Sequence, residues 1–296
     1  MRYKLSKSDS VLRDNRLKVF LSREKYALGS HWANAPRQAS WWPGDTKEKF
    51  LSTSKEHQDY WNSLPPISYD FNKYRFRCGE LSEQTETESI MFLGCSMTFG
   101  IGVHKEKTWP YLVAKELGLK EINLGIPGGN LDSAYRVYSY WQSRIKSKYT
   151  CLLIPPGKRF ECDQTSTQFV TETHPEGSHR FVQLGHWTLN QMSKRLPPFK
   201  EEHWPEVAVW LEESYFSDQM TAINTRKNID AISNIAKETD SILFYTSTDC
   251  SGVKHDTKAR DNVHPGPQWH EQMAEKFINE IKIPPLHGQQ TRPFPI

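Results

Sequence analysis

Residues 91–103 read Met-Phe-Leu-Gly-Cys-Ser-Met-Thr-Phe-Gly-Ile-Gly-Val, and they limit the folds open to this chain more than any other stretch. Ser89 to Leu93 is a short apolar run with the length and bulk of a buried strand, and Gly94 ends it where the backbone must turn sharply. Ser96 therefore lies just past a strand end. Sites in open α/β sheets lie outside the carboxyl ends of the strands, so a hydroxyl there is placed to meet a ligand. Serine is also common in turns for local hydrogen-bonding reasons, so the stretch gains meaning only beside a second one.

The neighbouring sequence alternates between short apolar runs and helical spacing. Trp109 to Leu117 carries apolar residues at helical spacing and stops at Gly118, a natural C-terminal cap. Residues 121–124 read as a strand running into Gly125-Ile126-Pro127-Gly128-Gly129-Asn130, a loop whose glycines let backbone approach a ligand. A helix follows from about Asp132, with Ala134, Val137, Tyr138, Trp141 and Ile145 on one face, then a strand over 150–154 ended by Pro155-Pro156-Gly157. Residues 160–218 break the rhythm and read as an irregular insertion over the active face. Ile223, Ile229, Ile232, Ile235 and Ala236 mark another helix, 241–246 a fourth strand, and 267–281 a final amphipathic helix. Strand–helix alternation of this kind argues a parallel sheet covered by helices.

Three regions follow. Residues 1–85 form an N-terminal extension with little periodicity, in which Trp41, Trp42 and Trp61 are read as pinning an irregular segment onto a neighbouring core. Residues 86–282 form the α/β domain, with its insertion at about 160–218. Residues 283–296 form a proline-rich, extended tail. At 296 residues a sizeable core is within reach, and a formal charge of +3 without a clustered basic face gives no nucleic-acid signal. The basic residues of the first thirty positions read as a solvated arm.

No apolar run is long enough to span a bilayer and no signal peptide is evident, so the expectation is a soluble protein made in the cytoplasm. Five cysteines show no Cys-x-x-Cys spacing, suggesting neither a disulfide framework nor a zinc site. His174, His179, His186 and His203 do not have metal-ligand spacing and read as surface residues, while Asp249 and His255 read as local structure.

The second stretch is Asp261-Asn262-Val263-His264-Pro265-Gly266. Serine alone is a poor nucleophile; it needs a base to take its proton, and the base needs a partner to hold its tautomer. His264 and Asp261 can supply both. Together these residues resemble the SGNH (GDSL-like) hydrolase family, in which a serine after the first strand works with an Asp-x-x-His pair just before the last helix. The serine motif here is Gly94-Cys95-Ser96-Met97-Thr98-Phe99-Gly100, with Cys95 where the family has an aspartate that is not part of the triad. Upstream, Asn72-Lys73-Tyr74-Arg75-Phe76-Arg77 resembles the Asn-x-x-Gly-Phe-Arg lead-in of some members, with Arg75 in place of glycine.

The resemblance implies an α/β fold, a three-layer α/β/α sandwich around a flavodoxin-like parallel sheet. It also implies acyl transfer: Ser96 as nucleophile, His264 as general base and then acid, and Asp261 orienting the imidazole. The N–H groups of Ser96 and Gly128 would form the oxyanion hole. The family's third donor, an asparagine in a Gly-x-Asn motif after the third strand, is missing from Pro156-Gly157-Lys158-Arg159, which leaves Lys158 and Arg159 as substitute donors. Losing such a donor costs about 3–4 kcal/mol of transition-state stabilisation. No metal or organic cofactor is implied. The expected activity is a carboxylic ester hydrolase removing acyl groups, acetyl among them, from a small-molecule or carbohydrate ester, the many tryptophans favouring a sugar. The alternative is a domain that keeps the fold with weak or no activity and serves a larger assembly, through the N-terminal extension, as a structural or binding component.

Overall fold

A computed structural model describes residues 37–82, 88–164, 180–185, 206, 209–248, 253, 257–283 and 291–293. The basic arm, His174, His179, His186, His203, Asp249 and His255 lie outside the described residues. The N-terminal segment contains Gln38–Ala39 (β1), Lys47–Leu51 (α1), Lys55–Asn62 (α2) and Tyr69–Asp70 (β2), with β1 and β2 antiparallel. Both helices are too short to show a period, and each starts at a side-chain cap: Thr46 accepts from the Lys49 N–H and Ser54 from the His57 N–H.

The main domain then runs Ser89–Leu93 (β3), Ser96–Phe99 (α3), Trp109–Leu117 (α4), Lys120–Asn123 (β4), Leu131–Ile145 (α5), Tyr149–Ile154 (β5), Arg159–Gln164 (β6), Arg180–Gly185 (β7), Asp218–Glu238 (α6), Ile242–Ser247 (β8), Pro267–Lys282 (α7) and Thr291–Pro293 (β9). The sheet order is β4-β3-β5-β8-β9 and every pairing is parallel. Counted from its first strand this is the flavodoxin-like order 2-1-3-4-5, the architecture the resemblance implies.

Strand periodicity of two sorts the core into two layers. Met91, Leu93, Leu152 and Leu243 face one side, where they meet Val137, Trp141 and Ile145 of α5 and Ile232 and Ala236 of α6. Ile90, Phe92, Cys151, Leu153 and Phe244 face the other, against Trp109 and Val113 of α4 and Trp269, Met273 and Phe277 of α7. All five residues of β3 are buried, as expected for a central strand covered on both faces. Cys78, Cys95 and Cys151 are buried free thiols, and burial pushes Cys78 up to about 12, out of reach of thiolate chemistry.

Two departures from the sequence reading have local causes. The insertion is not irregular throughout, because β6 and β7 pair as an antiparallel hairpin. Glu161 at its base is held by Arg136 of α5 at 2.6 and 3.0 Å. The proline-rich tail also contributes a strand: β9 is an edge strand pairing with β8, where Pro293 is tolerated. Trp42, Phe50, Trp61, Ile67, Tyr69 and Phe71 pack with Phe99 and Ile101, so the aromatic residues of the N-terminal segment do rest on the core, directly behind α3. Among the described residues no helix is long and apolar enough to cross a membrane.

Glu121 of β4 carries a titration into this core. Burial pushes its carboxyl up to about 7, against the pull of Lys105, whose Nζ lies 3.6 Å away, and of Arg77. The folded state therefore binds this proton more tightly than the unfolded chain, and stability falls as pH rises from about 4.5 to about 7. Glu121→Gln is expected to raise the urea midpoint at pH 8, by about 3 kcal/mol of stability, and to leave it little changed at pH 4. Equal shifts at both pH values would refute the assignment.

Candidate active site

Gly94 closes β3 at φ +152, and a Cβ there would fall 2.2 Å from Thr98 Oγ1 and 2.9 Å from the Leu153 carbonyl oxygen. Only glycine fits, and the turn it permits puts Cys95 at the N-cap and Ser96 at the first position of α3. Ser96 is partly exposed, and its Oγ lies 4.0 Å from Cys95 Sγ.

The Gly128 loop is stitched to this turn. The Ile126 N–H donates to the Gly94 carbonyl at 3.0 Å, Asn123 Nδ2 donates to the Thr98 carbonyl at 2.9 Å, and a Cβ on Gly125 would lie 2.5 Å from the Phe99 nitrogen. Gly128 itself has φ +74, a conformation open to glycine. The N–H groups of Ser96 and Gly128 have no hydrogen-bond partner among the described residues.

The Asp261 loop lies between β8 and α7. The Arg260 N–H donates to the Gly102 carbonyl at 2.9 Å, and Asn262 sits at φ +57 in the turn. Asp261 Oδ1 accepts the N–H groups of Val263 and His264 at 3.1 Å each, and Oδ2 meets His264 Nδ1 at 2.5 Å. Burial raises the Asp261 carboxyl, but the ring of His264 and those two backbone N–H groups outweigh it, and the net result lies below the ordinary carboxylate value. An ionised Asp261 keeps the proton on Nδ1 and leaves Nε2 as an acceptor. The Asp261 side chain is 1 % exposed and that of His264 21 %. No hydrogen bond joins Ser96 to His264 in this structure.

The two cationic candidates differ. Lys158 pairs with Asp218 at 3.5 Å, whereas Arg159 Nη1 donates to the Gly129 carbonyl at 3.2 Å, one residue beyond Gly128. A cavity of about 30 Å³, room for one water, lies between Asn130, Pro156, Lys158, Tyr215 and Asn228. A groove of about 790 Å³ lies between Tyr60, Pro66, His104, Pro267 and Glu271. Ser96 and His264 line neither.

The Asn72 lead-in has a structural role that periodicity did not show. Asn72 Oδ1 accepts the N–H groups of Tyr74 and Phe76 at 3.0 and 3.1 Å, and Arg75 adopts φ +69, the left-handed conformation that a glycine in that motif would take freely. The turn delivers Arg77, fully buried, to the carbonyls of Gly100 at 2.5 Å and Val103 at 2.9 Å, just past α3.

Fold and site together define a flavodoxin-like α/β protein with a serine, a histidine and an aspartate on loops at the carboxyl edge of its sheet. Among solved structures, it is similar to TesA, with 10% identity over 66% of this chain and 98% of that one at a TM-score of 0.39. It is also similar to a catalytic mutant of the acetylxylan esterase Axe2 from Geobacillus stearothermophilus, with 16% identity over 69% of this chain and 98% of that one at 0.31. The psychrotrophic esterase EstA from Pseudoalteromonas sp. has 13% identity over 66% and 97% of the two chains at 0.32. No protein-family model and no curated protein matches the sequence.

Proposed function

We propose that the chain is a serine esterase of SGNH type that hydrolyses acyl esters through Ser96, His264 and Asp261. The observation that carries this reading is the Asp261–His264 bond, 2.5 Å long, on a loop joined by backbone hydrogen bonding to the segment that follows Ser96. Ser96 Oγ attacks the ester carbonyl as its proton passes to His264 Nε2. The carbonyl π bond opens to an oxyanion that the Ser96 and Gly128 N–H groups receive. Collapse expels the alcohol, which takes the proton from His264, and leaves an acyl-serine. Water, deprotonated by His264 in turn, releases the carboxylic acid and restores the serine. For the first step Ser96 must come within hydrogen-bond reach of Nε2 when ester binds, a tightening that catalytic pairs undergo on forming the substrate complex.

The substrate class that fits best is an acetyl ester, on a carbohydrate or a small molecule. Partial exposure of both Ser96 and His264 leaves them accessible to an ester carried on a larger molecule. Of the two cationic donors, Arg159 is the better placed because it already touches the Gly129 carbonyl. The test is labelling with a fluorophosphonate probe, combined with turnover on a panel of short-chain and sugar acetates. The expected result is a single phosphonylated serine, absent in Ser96→Ala, together with loss of turnover. Wild type and Ser96→Ala behaving alike on both measurements would leave a binding or assembly role for the fold instead.

A further inference from the structure

We infer that Asp45 and Tyr69 of the N-terminal segment are positioning residues for the proposed triad, clamping the chain just after Ser96 to the chain just before Asp261. The inference rests on the esterase reading of that site. Asp45 is 0 % exposed. It receives Arg260 Nε at 3.1 Å on both oxygens and Arg260 Nη2 at 2.6 Å, a charge-assisted contact across 215 positions of sequence. Arg260 is further fixed by the Ser40 carbonyl at 2.6 Å and by the Trp41 ring, 3.8 Å from the guanidinium carbon. Tyr69 donates its hydroxyl proton to Asp45 Oδ2 at 2.5 Å and accepts the Gly102 N–H at 2.8 Å.

The contacts close a circuit. Gly102 is held by its N–H through Tyr69 to Asp45 and by its carbonyl through the Arg260 N–H, while the Arg260 side chain returns to the same carboxylate. The two segments touch so closely that a Cβ on Gly102 would fall 2.9 Å from Ala259 Cβ and 3.2 Å from the Asp261 nitrogen. Ser96 stands six positions before Gly102 (102 minus 96), and Asp261 one after Arg260. The Asp261–His264 bond is local to its loop, so the circuit sets where that pair sits relative to Ser96, not whether the pair forms. Misplacement of about 1 Å costs catalysis on the order of a hundredfold.

The experiment compares wild type, Ser96→Ala, Asp45→Asn and Tyr69→Phe in one assay at a temperature where melting curves show every variant folded. Tyr69→Phe is the milder probe because it keeps the ion pair and removes only the hydroxyl that links Gly102 to Asp45. The clamp predicts that Asp45→Asn lowers kcat and the fluorophosphonate labelling rate together by about ten- to a hundredfold, and Tyr69→Phe by about tenfold, with KM within about twofold of wild type. Asp45→Glu is expected to restore part of the rate. A purely structural role would lower the melting temperature and leave kcat and labelling of the folded protein unchanged, which would overturn the inference. Turnover untouched by Ser96→Ala would instead sink the esterase reading, and the clamp with it.

Discussion

Alanine at Ser96 and alanine at His264 are each expected to lower kcat/KM for an ester by about 10⁴-fold, and the double variant is expected to fall no further. The reason is chemical. A hydroxyl without an acceptor for its proton is no better a nucleophile than bulk water, and an imidazole without the hydroxyl has nothing to activate, so the two losses describe one event. At about 1.4 kcal/mol per decade the shared loss is about 5–6 kcal/mol of transition-state stabilisation. Asp261→Asn makes a sharper test of geometry. An amide in place of the carboxylate can donate toward Nδ1, which moves the ring proton to Nε2 and removes the acceptor that the proposed mechanism requires. Its cost is expected to approach that of losing His264, while the melting temperature changes far less than the rate. Additive losses for Ser96 and His264, multiplying to about 10⁸, would mean that the residues act separately. The measurement is steady-state kinetics on wild type and the four variants, with residual rates corrected for uncatalysed hydrolysis.

The sheet and its covering helices were legible because their signals are local. The helix over Trp109–Leu117 ends at Gly118, which adopts φ +63, and the strand over Ser89–Leu93 ends at Gly94, whose turn excludes any side chain. The Asp261–His264 pair was legible for the same reason, since three residues of spacing are enough to close the bond. Contacts over long separations were not. Nothing in Trp42-Pro43-Gly44-Asp45 announces a partner 215 positions away, and a three-residue edge strand among prolines has too few side chains to alternate. The hairpin of β6 and β7 was missed although Arg159-Phe160-Glu161-Cys162-Asp163 alternates polar and apolar residues, because its partner strand lies fifteen residues further along the chain, across 165–179. Lys158 and Arg159 were indistinguishable as sequence; adjacent residues leave the backbone in different directions, and only one of them reaches the glycine loop. His270 was the clearest missed signal, because it lies three, four and seven residues before Met273, Ala274 and Phe277 and so shares the buried face of α7.

That histidine should dominate the protein's response to acid. His270 is 1 % exposed, and its Nδ1 accepts the N–H of Trp109, an orphan donor in the first turn of α4 where Thr108 provides no side-chain cap. Burial, together with the charges of Arg77 and His264, drives its titration down to about 3 from the ordinary 6.5. The unfolded chain therefore binds this proton more readily than the folded one, so the stabilising effect of a neutral His270 is complete above about pH 6.5 and is lost as pH falls toward about 3. The loss over that window is expected to reach about 4 kcal/mol, a large share of the stability of a domain this size. Urea titrations at a series of pH values measure it directly. His270→Asn keeps an acceptor near the Trp109 N–H and cannot charge, so this variant should be weaker than wild type near pH 7 because of the lost ring, yet flatter across the acid range. Protonation breaks the bond to Trp109 and introduces a cation beneath Trp269 and Phe277, so the wild type should lose the packing between α4 and α7 first, with near-ultraviolet circular dichroism from Trp109 and Trp269 fading before the far-ultraviolet signal. Parallel slopes for wild type and His270→Asn would show that other groups govern acid unfolding.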